Sequence, residues 1–241
     1  MSLAKQIQDL AKELNQRLAT LSFPDQVAYI YNAFDYAFPG YVAYTDKFAT
    51  STKRVFFLGM NPGPWGMSQT GVPFGEIPSV RDWMGLHAEI GKPDPEHPKR
   101  PVDGYECQKS EVSGRRLWGY FAEKFGPAEN FFEEHFVANY CPLAFMEESS
   151  RNLTPDKLPA ESAKPLEEIC DWHLQELVKL LQPEWVVGVG GFAEKRAMAA
   201  LEDVELKFGR ILHPSPASPA ANRDWAGTAE KQLYKQGIWA E

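Results

Sequence analysis

The sequence predicts an α/β fold built on a parallel sheet. Short apolar segments rich in β-branched and aromatic residues alternate with amphipathic segments of helical period. Loops dense in glycine and proline follow the apolar segments, as they do at the carboxyl edge of a parallel sheet. Because no linker-like stretch and no internal repeat divides the 241 residues, we expect one domain over residues 1–241.

Two helices are predicted at the N-terminus. Apolar residues recur at three- and four-residue steps from Leu3 to Leu21, which indicates an amphipathic helix. Asp25 can cap a second helix, which Pro39 would end. We therefore expect residues 1–40 to form a helical pair that packs on the domain and carries no chemistry.

The stretch from Val55 to Glu76 is the centre of the predicted site. It opens with a buried apolar strand and continues into a loop crowded with glycine and proline. Glycine lets backbone N–H groups approach a ligand closely, and proline fixes the shape of the loop. The loop carries the amide of Asn61 and the aromatic ring of Phe74. An ordered loop without a ligand is the simpler interpretation of the same pattern.

Helices and one long excursion follow this loop. Ser79 to Leu86 predicts a short helix in which Ser79 and Asp82 have capping-box spacing. The segment 87–112 is polar and rich in proline, which predicts a long surface loop. The spacing of apolar residues then predicts a helix over 113–125.

Three further strands are predicted from short apolar runs, around 136–138, over 185–189 and ending at 211–212. A long helix from near Pro165 to Leu181 precedes the second of these strands. A helix over 192–201 follows it. This order of elements agrees with the α/β prediction.

Asn61, Asn139 and His213 each follow one of the predicted strands. Because the carboxyl ends of parallel strands share one edge of a sheet, we expect these three side chains to lie together. No carboxylate is among them, which favours binding of a neutral polar planar ligand and stabilisation of a developing negative charge. The chain has no G-x-S-x-G nucleophile elbow, no H-x-E…P-C-x-x-C zinc-deaminase set and no P-loop.

The segment Gly188 to Ala193 is a rival signal. It matches the G-x-G-x-x-A form of the dinucleotide fingerprint and lies between a predicted strand and a predicted helix. Little more than one strand follows it, and the acidic residue expected about 20 residues later is not clearly present. We expect Gly188 and Gly190 to permit close packing of the helix on the sheet, while a nucleotide-binding enzyme remains an alternative.

Composition narrows the class of protein. The three cysteines are widely spaced, which predicts reduced thiols in an intracellular protein and argues against a disulfide framework or a zinc site. No apolar run approaches the length of a membrane span, and the N-terminus resembles neither a signal nor a transit peptide. The net charge of −8 argues against nucleic acid as a partner, although a local basic face can still bind phosphate.

Nine motifs, taken in order, point to one family. They are G-M-N-P-G-P-W-G-M (59–67), G-V-P-F-G-E (71–76), E-H-P-K-R-P-V (96–102), S-E-V-S-G (110–114), N-Y-C-P-L (139–143), R-N-L-T-P (151–155), V-V-G-V-G (186–190), H-P-S-P (213–216) and A-N-R (221–223). Together they resemble the single-strand-selective monofunctional uracil-DNA glycosylases, within the uracil-DNA glycosylase superfamily. The resemblance covers roughly residues 55–225.

The resemblance implies a four-stranded parallel sheet with helices on both faces, and an enzyme that hydrolyses uracil and 5-hydroxymethyluracil from DNA. It implies single- and double-stranded DNA as partners, no cofactor, no metal and no membrane. We expect a monomer, in the cytoplasm of a bacterium or the nucleus of a eukaryote. The alternative within this fold is a module that binds damaged DNA without catalysis.

The expected site residues fall into three groups. Asn61 positions the attacking water, and a neutral His213 donates to uracil O2. Asn139 reads O4 and N3–H, Phe74 stacks on the base, and the backbones of Met60 and Gly63 line the pocket. The expected DNA contacts are Lys99, Arg100, Ser215, Ala217, Ser218 and Arg223, with Lys207 as a further candidate.

The chain departs from the family at two places. Some members have a long basic residue after H-P-S-P that fills the gap left by the flipped base, whereas Ala217 and Ser218 are short here. We therefore expect weaker stabilisation of flipped bases in duplex DNA. Trp65 replaces a phenylalanine that is common in the family, which is a mild change.

Overall fold

The structure is a computed structural model that describes residues 1–240. Its helices are α1 (Leu3–Leu18), α2 (Ala33–Tyr36), α3 (Phe38–Phe48), α4 (Met67–Thr70), α5 (Val112–Phe125), α6 (Ala128–Glu134), α7 (Ala160–Leu181), α8 (Gly191–Ala200) and α9 (Pro219–Lys235). Its strands are β1 (Tyr29–Asn32), β2 (Val55–Gly59), β3 (His135–Asn139), β4 (Leu143–Met146), β5 (Asn152–Leu153), β6 (Trp185–Val189) and β7 (Lys207–Ile211).

The predicted parallel sheet is confirmed. It has four strands in the order β3-β2-β6-β7, and all three neighbouring pairs are parallel. Every residue of β2 and β3 is buried, as expected for strands covered on both faces. Gly59 pairs with Asn139, and Val189 pairs with Ile211. These pairings bring the four carboxyl ends to one edge of the sheet.

A second, antiparallel sheet was not predicted. β4 pairs with β1 on one side and with β5 on the other. The predicted helix after Asp25, and with it the helical pair over residues 1–40, is therefore wrong. The Tyr-Ile-Tyr run of β1 favours an extended conformation, and β4 supplies its pairing partner from more than 100 residues later. Pro39 lies in the first turn of α3, where its missing N–H is harmless, so it begins a helix and does not end one.

Two further helix boundaries differ from the prediction. Residues Ser79–Trp83 form a π-helical turn, and the predicted capping box is absent from it. Asp82 pairs instead with Arg81, and the N–H of Ser79 donates to Glu76 Oε2 at 3.1 Å. Helix α7 begins at Ala160, upstream of the predicted start, because Pro165 in its second turn removes only one backbone hydrogen bond.

Two buried histidines make the fold sensitive to acid. Burial lowers the pKa of His135 and of His173 to about 4. The neutral ring of His135 faces the Phe131 carbonyl through Nδ1 at 2.8 Å and accepts from Trp239 Nε1 through Nε2 at 2.9 Å. A second ring proton would point at the indole N–H, so protonation opposes the native packing.

We expect the free energy of unfolding to fall as the pH drops below 6.5. Between pH 6.5 and 4 the unfolded chain binds these protons and the folded chain does not, so stability is lost toward acid. Each histidine should cost about 2 kcal/mol at pH 5 relative to pH 7. Urea unfolding at both pH values measures this, and His173→Leu should remove about half of the change. The exposed-site variant His87→Gln is the control and should show the same loss of stability between pH 7 and pH 5 as the wild type. The same loss in His173→Leu would contradict the assignment.

Candidate active site

The carboxyl ends of the parallel strands border a cleft of about 440 Å³. Seven residues that the sequence predicted as functional line it: Met60, Asn61, Gly63, Phe74, Asn139, His213 and Ser215. They come from the loops after β2 and β7 and from the last residue of β3. The sheet edge therefore brings together side chains that are up to 155 residues apart in the chain, since the lining runs from Met60 to Ser215.

The amide of Asn61 is held in one orientation. Its Nδ2 donates to the carbonyl of Leu143, the first residue of β4, at 3.1 Å. The Asn61 loop is fixed by the N–H of Cys141, which donates to the Met60 carbonyl at 2.9 Å. Because Nδ2 is engaged, the Oδ1 atom remains as an acceptor that can orient a water molecule or a ligand donor.

Asn139 is buried at the end of β3, and its Oδ1 has no hydrogen-bond partner within the described chain. Its Nδ2 lies 3.3 Å from the sulfur of Met67. A Cβ at Gly59 would overlap Asn139 Oδ1 and would lie 2.6 Å from the ring of Phe74, so only glycine fits beside them. An unpaired buried amide atom that faces a cleft indicates a polar ligand.

Phe74 has a strained backbone. Its φ of 53° lies in the left-handed region, which non-glycine residues rarely adopt. Its carbonyl accepts from Trp118 Nε1 at 3.0 Å, and Gly114 on α5 leaves room for that carbonyl. Helix α5 thus holds the Phe74 ring at the cleft, and strain of this kind is concentrated at functional sites.

His213 follows β7 and is largely shielded from solvent, and burial lowers the pKa of its imidazole below the ordinary value of 6.5. The ring is therefore neutral at pH 7. Its centroid lies 6.3 Å from that of the Phe74 ring. A neutral imidazole beside an aromatic ring can donate one hydrogen bond to a planar ligand stacked on that ring.

The two glycines of the rival fingerprint both have packing roles. A Cβ at Gly188 would overlap the backbone N of Glu194, so this glycine permits close contact between β6 and α8. Gly190 has a φ of 94°, and a Cβ there would lie 3.1 Å from the Cβ of His213. Gly190 therefore leaves space for the imidazole of His213.

Arg116 on α5, which was not predicted as a functional residue, supports the loop that carries His213. Its guanidinium donates to the carbonyls of Pro214 at 3.0 Å and Ser215 at 3.2 Å, and to Asn222 Oδ1 at 2.8 Å. These bonds connect the loop to α5 and α9. The same helix therefore positions both Phe74 and the His213 loop.

One carboxylate of the cleft was also not predicted from the sequence. Glu111 lines the cleft, and its side chain occupies the space where a Cβ of Gly63 would lie. Burial raises the pKa of Glu111, and the backbone N–H groups of Ser113 and Trp65 oppose that increase. The strand ends supply no carboxylate, as predicted, but a loop does. The available signal was the S-E-V-S-G motif, from which no residue had been singled out.

The predicted DNA contacts beyond the cleft divide into two sets. Ala217 and Ser218 form the turn that follows Ser215, and the N–H of Ala217 donates to Ser215 Oγ at 3.1 Å. Arg223 is exposed on α9. These residues continue from the mouth of the cleft.

Lys99 and Arg100 lie outside the cleft, in a neighbouring hollow. Lys207 lies at the amino end of β7, at the opposite edge of the sheet, where its Nζ pairs with Glu184 at 2.6 Å. The suggestion that Lys207 contacts phosphate near the site is therefore wrong, because a strand places its two ends at opposite edges of the sheet.

The part of the chain that the structure describes holds neither a metal-binding cluster nor a membrane-spanning helix. Over residues 1–240, no group of three or more histidine, cysteine, aspartate or glutamate side chains is arranged to hold a metal ion. In that same range no helix is long and apolar enough to cross a membrane.

Known proteins resemble this chain over nearly its whole length. The profile of the Uracil DNA glycosylase superfamily matches residues 45–241. A single-strand selective monofunctional uracil-DNA glycosylase of Rattus norvegicus is 48% identical over 239 residues, covering 98% of this chain and 86% of that protein. The Bos taurus protein of the same name is 47% identical over 227 residues, covering 93% and 84%. The crystal structure of wild-type SMUG2 from Pedobacter heparinus superposes with a TM-score of 0.73 at 17% identity, covering 99% of this chain and 98% of that one.

Proposed function

Because the chain belongs to the uracil-DNA glycosylase superfamily, and within it to the single-strand-selective monofunctional enzymes, we propose that it hydrolyses the bond between uracil and deoxyribose in DNA. The observation that carries the proposal is the meeting of Asn61, Phe74, Asn139 and His213 in one cleft. 5-Hydroxymethyluracil is a second expected substrate. The uracil must leave the base stack to reach such a cleft.

The reaction needs one water molecule and two kinds of charge stabilisation. The bond between N1 of uracil and C1′ breaks, its electron pair stays on uracil, and positive charge develops on the sugar. The oxygen of water then bonds to C1′ and this water loses a proton to solvent, while the uracil anion takes up a proton from solvent. Asn61 orients this water through Oδ1, because its Nδ2 is engaged by the Leu143 carbonyl. An amide is too weak to act as a general base, so its role is positioning.

His213 stabilises the departing uracil. A neutral imidazole can donate to O2, where negative charge develops, and burial favours the neutral form by lowering the pKa. A donor aimed at a developing anion in a shielded site is expected to supply several kcal/mol. Phe74 provides the face on which the base stacks.

Asn139 selects uracil against cytosine. Its amide can donate to O4 and accept from N3–H, and its unpaired Oδ1 supports this role. Cytosine presents the opposite order of donor and acceptor, so it would leave two buried polar groups mismatched. Thymine presents the same O4 and N3–H groups as uracil, so Asn139 cannot distinguish the two bases. Other contacts in the cleft must therefore reject thymine.

The enzyme acts by hydrolysis alone. Among the residues that line the cleft in the described chain there is no lysine to form a Schiff base with the sugar. The product is therefore an intact strand with an abasic site. We also propose that the enzyme works as a monomer without metal or cofactor, in the compartment that holds the DNA.

Single strands are the favoured substrates in this proposal. Ala217 is exposed on the turn beyond Ser215, and neither it nor Ser218 is long enough to fill the gap that a flipped base leaves in a duplex. Without that filler, unstacking in duplex DNA is less well compensated. Arg223, on the following helix, is the proposed phosphate contact on this side.

Two alternatives have different predictions. A damage-binding module would hold uracil-containing DNA and leave no abasic site. A nucleotide-binding enzyme that uses Gly188 to Ala193 would retain a dinucleotide on purification. The packing of Gly188 against α8 and of Gly190 against His213 argues against the second alternative.

The decisive assay uses labelled single-stranded oligonucleotides that carry one uracil, one cytosine or one thymine, followed by alkali to cleave abasic sites. We expect cleavage of the uracil strand only, and slower cleavage of the same strand in a duplex. Asn139→Leu should lower the rate of uracil release by about a hundredfold, because the substitution removes both hydrogen bonds to the base. Binding of the uracil strand without any abasic site would favour the damage-binding module.

A further inference from the structure

A second hollow, of about 490 Å³, lies beside the cleft. Its wall includes Trp65, the cations Lys99, Arg100 and Lys109, and the carboxylates Asp103 and Glu106. The cleft and the hollow share two segments of chain, because Gly63 and Glu111 line the cleft while Trp65 and Lys109 line the hollow. A strand of nucleic acid that places one nucleotide in the cleft can therefore extend into the hollow.

The hollow is held in place by one buried side chain. Gln69 Nε2 donates to the carbonyls of Pro64 and Pro101, both at 2.9 Å. Its Oε1 accepts from the backbone N–H groups of Asp103 at 2.9 Å and Gly104 at 3.1 Å. Gln69 thereby fixes the basic segment 99–104 to the loop that carries Asn61.

The cations of this hollow outnumber its carboxylates by three to two. In the described chain Lys99, Arg100 and Lys109 form no ion pair, whereas the neighbouring Lys92 pairs with Glu96 at 3.2 Å and with Asp103 at 3.6 Å. The three unpaired cations give the hollow a small excess of positive charge that can attract phosphate groups.

Trp65 supplies an aromatic surface in the same hollow. The guanidinium of Arg100 lies 5.2 Å from the centre of the Trp65 ring, and the same guanidinium donates to the Ser150 carbonyl at 3.2 Å. The ring is half-buried, so it retains an accessible part. Aromatic rings and guanidinium planes are the surfaces on which unpaired nucleobases stack.

We propose that this hollow binds the nucleotide next to the target in single-stranded DNA, with its base against Trp65 and Arg100 and its phosphates near Lys99 and Lys109. The inference rests on the proposed glycosylase function and adds a second subsite to it. A base that is already paired and stacked in a duplex cannot use such a surface without a further unstacking cost. The subsite therefore favours single strands independently of the short Ala217 turn.

Trp65→Ala tests the stacking. Binding is measured by fluorescence anisotropy with a labelled single strand that contains no uracil, so the result does not depend on catalysis. We expect affinity to fall about tenfold, which corresponds to about 1.4 kcal/mol and lies within the range for one base stacked on an aromatic ring. Trp65→Phe should keep most of the affinity, and unchanged thermal midpoints would show that both variants are folded.

Uracil release from strands of different length locates the effect. When several nucleotides flank the uracil on both sides, Trp65→Ala should lower kcat/KM about tenfold. When the strand ends at the uracil on the side that faces the hollow, no base can stack on Trp65, and the variant should show no loss. If the loss were the same for long and short strands, Trp65 would act on the cleft itself and the subsite would be refuted. If no uracil were released but Trp65→Ala still bound weakly, the glycosylase function would fail while the subsite stood.

Salt dependence tests the phosphate contacts. Lys99→Ala with Lys109→Ala should reduce the slope of log Kd against log salt by about 1.4, at about 0.7 per phosphate of a single strand. The matched control is Lys179→Ala with Lys207→Ala, which removes the same charge at the opposite edge of the sheet. Equal slopes for the two double variants would overturn the assignment of Lys99 and Lys109.

Discussion

Asn61→Ala is expected to lower the rate of uracil release from single-stranded DNA by about a hundredfold or more, because a misplaced nucleophile costs at least that much. The structure gives the reason. Asn61 Nδ2 donates to the Leu143 carbonyl, which fixes the orientation of the amide and leaves Oδ1 as the acceptor that can hold water. Single-turnover kinetics with excess enzyme measures the chemical step, and alkali reveals the abasic product.

The variant should still bind uracil-containing DNA with nearly wild-type affinity, since the recognition groups Phe74 and Asn139 are retained. Asn130→Ala is the matched control, because Asn130 Nδ2 also donates to a backbone carbonyl, that of Phe125 at 2.9 Å. Asn130 lies on α6, which leads into the amino end of β3, whereas the cleft is at the carboxyl end of that strand. A drop in rate that was matched by Asn130→Ala, or one explained by weaker binding, would refute the role of Asn61 in positioning water.

The parallel sheet was predictable from sequence because its two inner strands are apolar on both faces and each is followed by a break in the pattern. All five residues of β2 and the last four residues of β6 are buried. β1 was not predictable. The spacing of its apolar residues with those that follow also matches an amphipathic helix. Pairing with β4, more than 100 residues later, stabilises the extended conformation that the Tyr-Ile-Tyr run favours.

The site was predictable to the extent that the strand ends define it. Asn61, Asn139 and His213 follow strands, so topology alone brings them together. Glu111 and Arg116 were missed for one reason. Glu111 immediately precedes α5 and contacts Gly63 in the loop after β2, and Arg116 lies in the second turn of α5 and binds the loop after β7. Nothing in the sequence shows that this helix lies against both loops.

Support for the histidine also depends on distant residues. Gly190 leaves room for the His213 side chain. Arg116 donates to the carbonyls of Pro214 and Ser215, the two residues that follow His213. A signal that resembled a dinucleotide fingerprint is thus explained by packing around a catalytic candidate. The same glycine pattern would have been ambiguous without the position of His213.

His213→Ala is expected to reduce the rate of uracil release by about a hundred- to a thousandfold, the cost of removing one donor to a developing oxyanion. His213→Gln keeps a donor and should recover part of the loss. Binding of uracil-containing DNA should change little in either variant. The exposed-histidine variant His87→Ala serves as control and should retain the wild-type rate.

The pH dependence separates a neutral from a charged histidine. Because burial lowers the pKa of His213 below 6.5, the imidazole stays neutral throughout the range above that value. The rate of the chemical step should therefore show no His213 titration between pH 6.5 and 8. A rate that rose toward acid with a midpoint inside that range, and lost this rise in His213→Gln, would mean that the charged imidazolium is the catalyst. In that event the proton, and not the orientation of a neutral donor, would be the main source of stabilisation for the departing uracil.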